Sequence, residues 1–241
     1  MPTVQTSLGA VPAGLRETAR RYVELIREVA GERAISLTLF GVALTEHFEP
    51  ARHSARSVLV LDGVDLKVLQ RLSQYGLELG RQSIAAPLIM TPAYIKASLD
   101  TFPLELLEIQ QQHLMLFGPD PFSDLVFDPA SIRLECEREL KAMLLGLRQG
   151  LLASAGRQRL LGQIEVDAGQ GIIRVLRGML WLKGDRDYMP VADLIERVEK
   201  IANRKLAGLR RALDASSPHD WATFEALYRD VEALGELVNG W

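Results

Sequence analysis

Residues 39–61 read LFGVALTEHFEPARHSARSVLVL, two apolar runs joined by a polar loop. The first run reaches back to Ala34 and closes at Gly41. It is short and rich in β-branched and apolar residues, which predicts a buried strand. The second, SVLVLDG from Ser57, predicts another. Both runs are too apolar to stand exposed, so they are expected side by side in one sheet, with the 41–56 loop at its edge. That loop carries His47, Arg52, His53 and Arg56, and its only acids are Glu46 and Glu49.

The surrounding sequence extends this α/β pattern. Leu15, Ala19, Tyr22, Ile26 and Val29 recur at spacings of three and four, predicting an amphipathic helix that stops at Gly31. Leu66, Leu69, Leu72 and Leu79 predict one helix between Asp65 and Gln82, weakened by Gly76. APLIM (86–90) predicts a third strand. Thr91 and Pro92 then supply the N-cap and first position of a short helix. Residues 102–117 fit strand or helix equally.

Beyond Asp128 helical periodicity dominates. Ile132, Cys136, Leu140, Met143, Leu147 and Leu151 form one apolar face of a helix expected from about Ala130 to Leu152. Its expected partner is a 169–183 helix presenting Ile172, Val175, Leu176, Met179 and Leu180. Further helices are expected over 157–165, 191–203, 205–213 and 218–238. Strands first and helices after predict two domains, an α/β domain with a mixed sheet over 1–125 and an all-α bundle over 126–241.

Composition narrows the function classes. The formal net charge of −3 lacks the basic excess of a nucleic-acid binder. Cys136 is the only cysteine, which excludes an internal disulfide and a multi-cysteine zinc site. No apolar run approaches the roughly 20 residues of a membrane span. The N-terminal residues show no basic and apolar leader, so a cytoplasmic protein is expected.

The order helix, strand, glycine-ended loop, strand, helix, strand resembles the core of the nucleotidyltransferase superfamily, the fold of kanamycin nucleotidyltransferase and polymerase β. That family's motif is an apolar strand ending in Gly-Ser or Gly-Gly, a spacer of roughly nine to thirteen residues, then Asp-x-Asp or Asp-x-Glu, whose alternation puts both carboxylates on one strand face. There they hold Mg²⁺ for in-line attack on the α-phosphate of a nucleoside triphosphate. The segments SLDTFPLELLEIQQQHLMLFGPDPF and SIRLECERELKAMLLGLRQGLL resemble a bacterial group of nucleotidyltransferase-like proteins, over roughly residues 34–235.

The resemblance implies a degenerate member. Gly41 matches the glycine, but Val42 stands in place of serine. With residues 43–54 as the spacer, Ser54 keeps the serine before the acids, while Ala55 and Ser57 replace the two carboxylates. Ala55 and Ser57 are then expected to point into the cleft, and Arg56 away from it. Arg52, His53 and Arg56 make the loop basic. Arginine in place of the metal would bind phosphate through its planar donors, and a solvated loop is the plainer account. The implied vestigial ligand site is Gly41, Val42, Arg52, Ser54, Ala55, Arg56 and Ser57, with no cofactor. The expected ligand is a nucleotide or another phosphate-bearing small molecule.

An active enzyme remains the alternative. It would require Mg²⁺ held by Glu46, Glu49 or Asp100, with Glu105 and Glu108 as further acids. Asp62 lies five residues beyond Ser57, roughly 16 Å along an extended strand, and is too distant. Glu105 is expected to meet a helix N-terminus or an arginine, and residues 133–139 to form Arg–Glu pairs along one helix. His47, His53, His113 and His219 lack metal-ligand spacing, and no Gly-x-Ser-x-Gly elbow is present. A homodimer formed through the bundle is a third possibility.

Overall fold

The structure is a computed structural model describing residues 8–45, 48–51, 53–214, 216–217 and 219–241. It contains two compact units. One comprises residues 1–99 and 108–126, the other residues 100–107 and 127–241.

The first unit is α/β. Helix α1 (Arg16–Ala30) buries Ala19, Tyr22, Val23, Ile26 and Val29 on one face. Its other face carries the Arg20–Glu17, Arg20–Glu24 and Arg21–Glu17 ion pairs. Strand β1 (Ala34–Phe40) follows, then β2 (Arg56–Leu61). Two short helices, α2 (Leu66–Ser73) and α3 (Gly76–Arg81), lead to β3 (Leu88–Met90). Helix α4 (Pro92–Ala97) begins as expected, with the Thr91 hydroxyl accepting from Tyr94 N and Pro92 in the first turn. Helix α5 (Pro103–Gln111), of which residues 103–107 are counted with the second unit, and strand β4 (His113–Phe117) resolve the ambiguous 102–117 stretch into one of each.

The four strands form one mixed sheet in the order β3-β2-β1-β4. Strand β1 pairs antiparallel with both β2 and β4, while β2 and β3 run parallel. The two apolar runs therefore do lie side by side, with Leu39 opposite Ser57 and Phe40 opposite Arg56. Leu37, Leu39, Ala55, Leu59 and Leu61 share one core with Tyr22 and Ile26 of α1.

The single helix expected over 65–82 is instead α2 and α3. Gln74 and Tyr75 make tight i→i+3 bonds to Arg71 and Leu72, and the chain turns before Gly76 opens the next helix. The opposite correction applies further on, where the expected 157–165 and 169–183 helices are one continuous α7 (Gln158–Leu182). A glycine in a helix interior costs about 1 kcal/mol. Gly169 and Gly171 do not break α7, because its apolar stripe packs along the bundle.

The second unit is helical. Helix α6 (Pro129–Ser154), N-capped by Asp128, packs on α7, with Ile132, Cys136 and Leu140 facing Ile172, Val175, Leu176 and Met179 in a fully buried layer. Helices α8 (Val191–Ala202), α9 (Ala207–Leu213) and α10 (Trp221–Asn239) complete it. Arg133–Glu137 and Arg138–Glu135 form the expected pairs along α6, and Glu105 meets Arg174.

Helix α9 is fastened by two buried carboxylates. Asp230 of α10 accepts from the N–H groups of Gly208 and Leu209 at 2.8 and 3.0 Å, standing in for a local cap. Glu199 of α8 accepts from Leu206 N at 2.9 Å and from Arg210 at 3.0 and 2.9 Å. Gly208 permits the approach, since a Cβ there would lie 2.1 Å from Leu227 N. Among the described residues no helix is long and apolar enough to cross a membrane.

Candidate functional site

Strand β1 delivers its chain into the candidate site through Gly41. This residue has φ +74°, a left-handed conformation that β-branched side chains avoid, and its N–H donates to Gln112 O at 3.1 Å. Val42 follows, half-buried in a short 3-10 turn, its carbonyl accepting from both the backbone and the hydroxyl of Thr45. Downstream, the Glu49 N–H donates to His53 Nδ1 at 3.1 Å. Ser54 is exposed. Arg52 and Glu46, both named from the sequence, lie outside the described residues, as does His47.

Strand alternation then sorts the rest onto two faces. Ala55 and Ser57 are each 1% exposed and face α1. The Ser57 hydroxyl shares a 2.9 Å hydrogen bond with Tyr22 Oη. Burial, only partly opposed by this bond, pushes the Tyr22 phenol up to about 12. Arg56 stands on the opposite face. Its guanidinium lies 4.4 Å from the centre of the Phe40 ring, and its Nη1 reaches both oxygens of Glu108, at 3.0 and 3.2 Å.

This reverses the orientation expected from the sequence. Ala55 and Ser57 point into the core, and Arg56 away from α1. The physical reason lies in what each side chain needs. A serine hydroxyl can be buried once Tyr22 satisfies it, whereas a guanidinium must keep water or a carboxylate beside it. The strand therefore settles with Arg56 beside Glu108 and its side chain 42% exposed.

The site thus brings together Gly41, Phe40, Arg56 and Glu108. Val58 follows Arg56 on the same face and is fully buried. Glu108 was among the acids noted in the sequence, but its partner was not foreseen. The available signal was an arginine opening an apolar strand, which calls for water or a carboxylate nearby. Of the acids reserved for an active enzyme, Glu49 is exposed in the loop, and Asp100 is exposed in the other unit, bonded to the Thr101 hydroxyl.

A divalent metal needs several free oxygen ligands converging on one point. The one carboxylate beside Arg56 among the described residues is Glu108, already paired to it, and a single engaged carboxylate next to a guanidinium does not fit Mg²⁺. Among the described residues no three His, Cys, Asp or Glu side chains are grouped to hold a metal. Comparison with protein-family models and with curated proteins finds no match to this chain.

Proposed function

We propose that this chain is a nucleotidyltransferase-like protein that has exchanged its metal-binding carboxylates for an arginine. It binds a nucleotide or similar phosphate-bearing ligand in a regulatory role, without nucleotidyl transfer. The observation that carries this reading is the Arg56–Glu108 pair on the sheet face away from α1. The order of helix, strand, left-handed glycine, antiparallel strand and parallel third strand supports the family assignment. Moving the spacer end by one residue, to 43–55, puts Arg56 and Val58 at the two acid positions and keeps the motif's length. Both positions still lack a carboxylate.

The ligand this implies is a cytoplasmic phosphorylated molecule, with a bidentate arginine in place of metal. Incubating the protein with each nucleoside triphosphate and Mg²⁺, and measuring pyrophosphate, tests the reading. Release no greater than in a protein-free control is the expected result. Mg²⁺-dependent release would contradict it and favour an enzyme built on Glu46, Glu49 or Asp100.

A further inference from the structure

Arg56 is engaged on one nitrogen only. Nη1 bonds both oxygens of Glu108, while Nε and Nη2 have no acceptor among the described residues. The side chain is nonetheless 42% exposed, with its guanidinium carbon 4.4 Å from the centre of the buried Phe40 ring. A guanidinium with one nitrogen paired and its face on a ring is partly pre-organised and presents unfilled donors at one edge. Glu108 is 19% exposed, and the missing side chain of Gly41 leaves the space beside its Oε1 open.

From this arrangement we infer that Arg56 is an oxyanion subsite gated by Glu108, which acts as an internal anion that an incoming phosphate group displaces. The inference rests on the proposed ligand class and adds its regulation. The free donors take the first phosphate oxygens, and full engagement requires Glu108 to give up Nη1. Glu108 therefore lowers the apparent affinity by the fraction of molecules in which it occupies Arg56. Its negative charge also opposes any anion that approaches.

Inorganic pyrophosphate is the probe, titrated calorimetrically into the full chain. E108Q is expected to bind about tenfold more tightly than wild type, because the competing charge is gone and the donors are free. R56Q is expected to lose binding by at least about tenfold. The wild-type protein supplies an arm independent of variant folding, in which the guanidinium proton resonances of Arg56 shift on titration. Unchanged or weaker binding by E108Q, retained binding by R56Q, or unmoved Arg56 resonances each overturn the gate. ATP separates this from the wider proposal. If pyrophosphate follows the variants as expected but ATP binds no better than pyrophosphate, the subsite stands and the nucleotide reading fails.

Discussion

Tyr22 and Ser57 share a 2.9 Å hydrogen bond inside the core between α1 and the sheet, which satisfies the hydroxyl that β2 turns inward. With Ser57 turned inward, Arg56 is turned to the opposite face, where Glu108 receives it. Removing one partner leaves a buried hydroxyl unsatisfied, so Tyr22→Phe should cost about 1–3 kcal/mol in denaturant unfolding. A cost near zero would mean the bond contributes little to holding Ser57 in the core.

Carboxylates placed at Ala55 and Ser57 should behave as buried charges, not as metal ligands. The double variant Ala55→Asp, Ser57→Asp is expected to lose at least about 3–5 kcal/mol of stability. Added Mg²⁺ should recover none of that loss in a thermal melt. Recovery by Mg²⁺ would restore the cleft-facing orientation first read from the sequence.

Gly208 and Asp230 together determine how α9 meets α10. Gly208→Ala would force a Cβ to 2.1 Å from Leu227 N, a backbone atom that cannot step aside, so this substitution is expected to be among the most damaging in the helical unit. Asp230→Ala removes the acceptor of two buried N–H groups and should cost about 1–3 kcal/mol. Urea unfolding followed by far-ultraviolet circular dichroism measures both.

Glu199 gives the helical unit an acid-sensitive clamp. The hydrogen bonds from Arg210 outweigh burial and, with those from Leu206 N and Lys205, hold its carboxyl down to about 2. Its folded value lies below the unfolded one, so its contribution is present above the ordinary glutamate range. It is lost as pH falls toward about 2. The size of that contribution is on the order of 3 kcal/mol. Wild type should lose stability to Glu199→Gln across this window, the gap between them being widest at neutral pH. A gap that stays constant with pH would refute the assignment.

The strands and the long helix were legible because their signals are local. AISLTLF and SVLVL leave little choice but a buried sheet, and Ile132, Cys136 and Leu140 repeat at helical spacing whatever surrounds them. The direction in which β2 faces was not legible. Ser57 reads as polar, and only Tyr22, 35 residues away, makes it a core residue. The glycines also misled in both directions. Gly76 stands at a true break because Gln74 and Tyr75 already tighten the chain, while Gly169 is carried through α7 by packing that a sequence window does not contain. For the candidate site, Gly41 and Arg56 were visible and the partner of Arg56 was not, since Glu108 lies on a helix whose type the sequence left open.

On the proposed reading, the half-exposed guanidinium of Arg56, and no metal, meets the phosphate at the start of β2. Calorimetric titration of the wild-type protein with ATP, in the presence and absence of Mg²⁺, tests it most directly. Metal-free ATP should bind at least as tightly as Mg²⁺–ATP, because Arg56 meets phosphate without help and Mg²⁺ withdraws the charge it recognises. Markedly tighter binding of Mg²⁺–ATP would contradict the account and require carboxylate ligands from elsewhere in the chain.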